Sequence, residues 1–183
     1  MMSGIHAMLV HFPIAFWALA SLMIIVGALM QGHWAQLAKA GLLPVLILGL
    51  LGGIAGMVSG WLVWPADANL YSPLTRNHLL MSFWAFGIYA VVTALVWRYR
   101  DLVFEGAFRW AMLVLALMGG LFFAISGTLG GHLAGSPTPF SDLLGAGGWT
   151  VYETFYVPDW VLVVILILAV ASAVAGFTAK TRS

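Results

Sequence analysis

His6 to Trp17 reads HAMLVHFPIAFW. Two histidines stand five residues apart, Pro13 follows the second by two, and every other position is apolar. Apolar sequence then continues to about residue 30, the length a helix needs to cross the hydrocarbon core of a bilayer. Histidine is expensive inside lipid, so a histidine within such a span is by default a functional-site hypothesis. The stretch therefore sets two expectations: a membrane helix and a ligand-bearing one.

Composition agrees with the first. The 183 residues are 63% hydrophobic and only 7% charged, with a mean hydropathy of +1.04. Soluble domains carry about 25% charged residues, so this chain is read as an integral membrane protein. A net charge of +1 and the lack of any basic run argue against a nucleic-acid partner. No cysteine is present, which excludes disulfides, cysteine-ligated zinc, iron–sulfur clusters and c-type haem attachment within the chain. Haem b held by histidine stays open. No Lys or Arg precedes the first apolar run and no A-x-A site follows it, so a retained span is expected, not a cleaved signal peptide.

Five runs are long enough to span, at about 7–30, 41–64, 79–97, 110–134 and 159–178. They are continuously apolar, unlike the alternating segments of a membrane barrel. The fold class expected is an all-α bundle of about five transmembrane helices forming a single domain over 1–183. Six of the seven basic residues (Lys39, Arg98, Arg100, Arg109, Lys180 and Arg182) fall on one face of that topology, with Arg76 alone opposite. Asp67, Asp142, Glu153 and Asp159 lie on the face with Arg76. The positive-inside rule then puts the N-terminus outside and the C-terminus inside. The long connection from Gly135 to Pro158 is rich in proline, glycine and aromatics. It reads either as a loop lying at the membrane surface or as a lid over the outer end of the bundle.

This topology gathers His6, His11, His78 and His132 at the outer end and leaves His33 at the other. If the helix already runs between His6 and His11, they differ by about 7–8 Å in depth and about 140° in direction. They then cannot easily grip one ion from one face. Gly52, Gly56 and Gly60 in span two, and Gly127, Gly131 and Gly135 in span four, form two ladders of four-residue spacing. Such ladders permit close helix packing or leave room for a large flat cofactor beside His132. Arg76 is placed either to pair with a haem propionate or to anchor the span at the interface.

HAMLVHFPIAFW, the Arg76–His78 stretch RNH and GGHL around His132 resemble the bacterial membrane family catalogued as domain of unknown function 2231. The resemblance covers spans one to four. It implies about four spans, with family histidine positions falling on His6, His11, His78 and His132. Some relatives carry an attached Rieske iron–sulfur domain, which implies redox work near the membrane surface.

Three function classes follow. The first is a b-type cytochrome-like electron-transfer protein, since haem iron takes two axial imidazoles from different helices of a bundle. Four imidazoles suffice for two such haems, with His6, His11, His78, His132, Arg76, Gly127 and Gly131 as the cofactor-binding residues. Its partners would be a periplasmic redox carrier or a quinone. The second is a non-haem copper or zinc site on the same four histidines. The third is a structural subunit of a larger membrane complex. No Ser/His/Asp set, phosphate loop or HExxH motif points to an independent enzyme.

Overall fold

The computed structural model describes residues 2–63 and 72–154, with further helical positions between 163 and 175. Among the described residues the chain is helical throughout, with no strand. Four long helices are α1 (Met2–Leu29), α2 (His33–Val63), α3 (Pro73–Tyr99) and α4 (Phe108–Leu133). A 3₁₀ turn (Arg100–Phe104) follows α3, and a short α5 (Phe140–Ala146) follows α4. All four long helices are apolar and long enough to cross a membrane. Most of the expected fifth span lies outside the described residues, as do Asp67, Phe155, Tyr156, Asp159, Lys180 and Arg182. The positions described within that span, such as Val163, Ile167 and Val174, are helical.

Contacts fix the topology. Gly52, Gly56 and Gly60 of α2 receive Pro13, Val10 and His6 of α1 in turn, while Gly41 receives Met23. As α2 numbers rise, α1 numbers fall, so the two helices are antiparallel. The same holds for α3 and α4, where His78 meets Ser126 and Tyr89 packs on Gly119. The two hairpins close into one bundle through α1 against α4 and α2 against α3. This leaves α1 and α3 as a diagonal, parallel pair.

The diagonal is filled by aromatic rings. Trp17 of α1 stacks on Tyr89 of α3 with centroids 4.8 Å apart and planes 5° from parallel. Such pairs contribute about 0.5–1.5 kcal/mol beyond area burial. Room for Trp17 comes from α2: a Cβ on Gly49 would lie 2.6 Å from the indole. The fully buried Tyr89 hydroxyl is satisfied by Ser21 Oγ at 2.7 Å. Without lipid-driven burial to hold helices together, this close fit of small residues to rings is what holds a membrane bundle.

Element ends differ from those expected from hydropathy. α1 begins at Met2, so Pro13 lies inside it and the Leu9 carbonyl loses its helical donor. α3 begins six residues before the expected 79, because Ser72 caps it (Thr75 N–H to Ser72 Oγ, 3.4 Å) and Pro73 suits a first turn. α4 ends in a Schellman turn: Ser136 N–H reaches Gly131 C=O at 2.8 Å and Gly135 N–H reaches His132 C=O at 3.1 Å. Gly135 supplies the positive φ of 73° this turn requires.

The chain after α4 folds back on the bundle. Trp149 and Val151 are buried, and the Asn77 side-chain amide donates to Thr154 C=O. Part of the expected long loop is thus helical (α5), and its far end seals over the start of α3.

Candidate functional site

His6 stands four residues into α1 and His78 five residues into α3. Since these helices run the same way, both rings lie in the same layer, on diagonal helices, at the end of the bundle that carries the N-terminus.

Each ring is held from the neighbouring helix. Nδ1 of His6 lies 3.0 Å from Ser59 Oγ on α2. The Ser59 hydroxyl proton is committed to Gly56 C=O at 2.9 Å, so Ser59 accepts and His6 Nδ1–H donates. His78 Nδ1 lies 2.8 Å from Ser126 C=O on α4, which can only accept. Ser82 Oγ donates to His78 C=O at 2.8 Å and lies 2.6 Å from Ser126 Oγ, so Ser126 donates to Ser82. That leaves the Ser126 oxygen facing His78 Nδ1 as a second acceptor at 3.4 Å. By this proton count both neutral imidazoles carry hydrogen on Nδ1 and a lone pair on Nε2. Neither Nε2 has a hydrogen bond among the described residues. A hydrogen bond from Nδ1–H to a hydroxyl or carbonyl is how proteins fix a ligating histidine with Nε2 presented to the metal.

Two glycines seat the rings. A Cβ on Gly60 would lie 2.9 Å from His6 Cε1, and one on Gly130 would lie 3.1 Å from His78 Cε1. Gly130 falls between the ladder residues Gly127 and Gly131. Gly127 itself has open space beside it, and a Cβ on Gly131 would lie 2.7 Å from Ser136 C=O within the Schellman turn. The α2 ladder, Gly52, Gly56 and Gly60, is filled by α1 and serves helix packing.

The other expected ligands sit elsewhere. His11 is exposed, with Nδ1 turned to Ala7 C=O one turn back on its own helix. The helix does run between His6 and His11, and the predicted divergence of their directions is realised. His132 lies two residues beyond Gly130, hence about 200° around α4 from the face that meets His78. Its Nδ1 pairs with Tyr152 OH at 2.8 Å, the rings meet edge to face, and Nε2 is buried with no partner among the described residues. Arg76 is exposed in the first turn of α3, two residues before His78. His33 stands at the opposite end, beside Trp34. Among the described residues no three His, Asp or Glu side chains are grouped to hold a metal ion. Of the four imidazoles, His6 and His78 thus share a layer on diagonal helices, each held by a neighbouring helix, and His11 and His132 are turned to other partners.

A family model described as "Predicted membrane protein (DUF2231)" matches residues 2–137. The chain belongs to this family. The match takes in all four long helices and stops just after the Schellman turn, so in this DUF2231 protein both rings of the pair, with Ser59, Ser82, Ser126, Gly60 and Gly130, lie within the family region. Tyr152 and Thr154, the partners of His132 and Asn77, lie beyond it. Neither a curated protein nor a solved structure matches the chain.

Sequence reasoning missed Ser59, Ser82, Ser126 and Gly130. One signal was available: these serines are polar residues within otherwise apolar spans, and Ser82 follows His78 by one helical turn.

Proposed function

We propose that His6 and His78 would hold one haem b through their Nε2 atoms, and that this DUF2231 protein transfers electrons near the outer face of a bacterial inner membrane. One observation carries the reading: two imidazoles on diagonal helices share a layer, each with Nδ1–H engaged by a neighbouring helix and Nε2 left for iron. The donor set fits bis-imidazole haem, which takes its two ligands from different helices. Haem supplies a one-electron centre. The chain's part is to hold both rings in one tautomer, through Ser59 on one side and the Ser126–Ser82 network on the other. Arg76, in the first turn of α3 two residues before His78, is the basic residue we assign as a partner for a propionate. The outer position suits exchange with a periplasmic redox carrier or a quinone.

A second reading, a copper or zinc ion on the same pair, has one observation in its favour. Both rings are packed closely against glycines, and a bare ion requires less space than a macrocycle. Imidazole suits either metal.

The test is the spectrum and metal content of protein purified after expression with haem available. Red protein with sharp bis-imidazole bands on dithionite reduction, lost in His6→Ala and His78→Ala but kept in His11→Ala and His33→Ala, supports the haem reading. Colourless protein with stoichiometric copper or zinc supports the second. Protein lacking both leaves a structural subunit of a membrane complex.

A further inference from the structure

At the end of the bundle opposite the histidine pair, a cavity of about 320 Å³ opens between α2 and the junction of α3 with the 3₁₀ turn. That volume falls at the low end of small-ligand sites, roughly 300–1,000 Å³. Its lining includes Lys39, Leu43, Val96, Arg100, Asp101 and Phe104. The lining is graded. Lys39 stands one turn nearer the helix end than Leu43, and Arg100 one turn nearer than Val96. The cations therefore sit at the rim and the aliphatic side chains toward the membrane interior.

The rim is built. Lys39 is half-buried, its ammonium 5.0 Å from the Phe104 ring centroid. Phe104 and the Lys39 stem both rest on Gly27 of α1, where a Cβ would lie 2.8 Å from the ring and 3.3 Å from the stem. Arg100 departs from helical geometry with a φ of 51°, which an L side chain adopts rarely. Neither cation forms an ion pair among the described residues. Asp101 is the one carboxylate in the lining, so the cavity keeps a net positive charge.

We infer that this cavity binds one anionic phospholipid, its phosphate between Lys39 and Arg100 and the start of an acyl chain against Leu43 and Val96. Two features select this occupant. Paired cations match a phosphodiester, and the change from charged rim to aliphatic wall follows the polarity gradient of a lipid at bilayer depth. Basic pockets between membrane helices are suited to such headgroups.

The experiment uses the full chain in detergent, with phosphatidylglycerol and phosphatidylcholine of identical acyl chains added at equal concentration. Bound lipid is counted by native mass spectrometry. A basic residue at the membrane surface contributes about fivefold in affinity for an anionic lipid. Phosphatidylglycerol is expected to be retained over phosphatidylcholine, with the ratio falling about fivefold in Lys39→Gln or Arg100→Gln and to parity in the double variant. Arg98→Gln, which removes a neighbouring cation outside the cavity, should leave the ratio unchanged. An equal fall in Arg98→Gln, or none in Arg100→Gln, overturns the assignment. So does displacement of the lipid by millimolar inorganic phosphate, which would make the site one for free phosphate. Arg100 is exposed, so its variant decides the matter even if Lys39→Gln fails to fold.

Discussion

Gly130→Ala and Gly127→Ala place the same methyl group three residues apart on α4, and the structure assigns them opposite outcomes. At Gly127 nothing lies within 4 Å of the new carbon. Replacing glycine by alanine inside a helix then favours the helix by up to about 1 kcal/mol. At Gly130 the methyl would lie 3.1 Å from His78 Cε1, whereas unstrained carbons sit about 3.5–4.0 Å apart. The imidazole must retreat from α4 by about half an ångström. Because its Nδ1 partner, Ser126 C=O, is on α4 too, the 2.8 Å hydrogen bond lengthens to the edge of the ordinary range. A weakened bond removes about 0.5–1.5 kcal/mol, and overpacking a fitted interface removes typically 1–3 kcal/mol. Set against the helix gain, Gly130→Ala should be destabilised by about 1–3 kcal/mol relative to wild type, and Gly127→Ala should be neutral or slightly stabilised. Denaturant or thermal unfolding in detergent, followed by the intrinsic fluorescence of the nine tryptophans, measures both. If the two variants unfold together, His78 is not seated on α4 as described, and the tautomer argument for the pair loses half its basis.

Three further outcomes follow from the same contacts. Ser59→Ala removes the oxygen that accepts from His6 Nδ1–H and should leave the bundle folded while shifting the potential of any iron bound at Nε2, read by redox titration. Gly49→Ala would put a methyl 2.6 Å from the Trp17 indole and should destabilise by about 1–3 kcal/mol, a larger effect than alanine at Gly87, which has open space; unfolding curves compare them. A C-terminal reporter that works only in the cytoplasm should be active, since six of seven basic residues fall on that face of the expected topology; an active periplasmic alkaline phosphatase fusion would reverse the orientation.

The four long helices were legible because a spanning run is a matter of length and hydropathy, which needs no knowledge of partners. Their ends were less so. Ser72 and Pro73 are a readable start signal, yet polar residues such as Asn77 and His78 interrupt the hydropathy of the first turns of α3. Within the site, the sequence favoured His11 and His132, which stand inside apolar runs, over His6 and His78 at the span ends, and helical periodicity separated His6 from His11 in direction. It could not say which neighbour each ring would meet. Ser59 and Ser126 matter only because α2 and α4 lie beside α1 and α3. The ladder spacing in α4 drew attention to Gly127 and Gly131, one of which builds a turn, while the glycine that seats a ring is the one between. His132 was grouped with the pair by depth alone, and depth says nothing of which side of a helix a residue occupies.

The diagonal placement of His6 and His78 has a consequence for how the protein is made. His6 leaves the ribosome with α1, but its counterpart lies some seventy residues later, on the second hairpin. While only α1 and α2 are in the bilayer, His6 has Ser59 and Gly60 to lean on and no second ring in its layer. The pair comes into existence when α3 inserts, and its second ring is fixed only when α4 brings Ser126 and Gly130. The stretch after α5, with Trp149, Val151 and Thr154, follows and settles over the start of α3. The layer that holds both rings is therefore completed only after most of the membrane domain has been threaded, and a chain truncated before α4 would lack the acceptor and the glycine that seat His78.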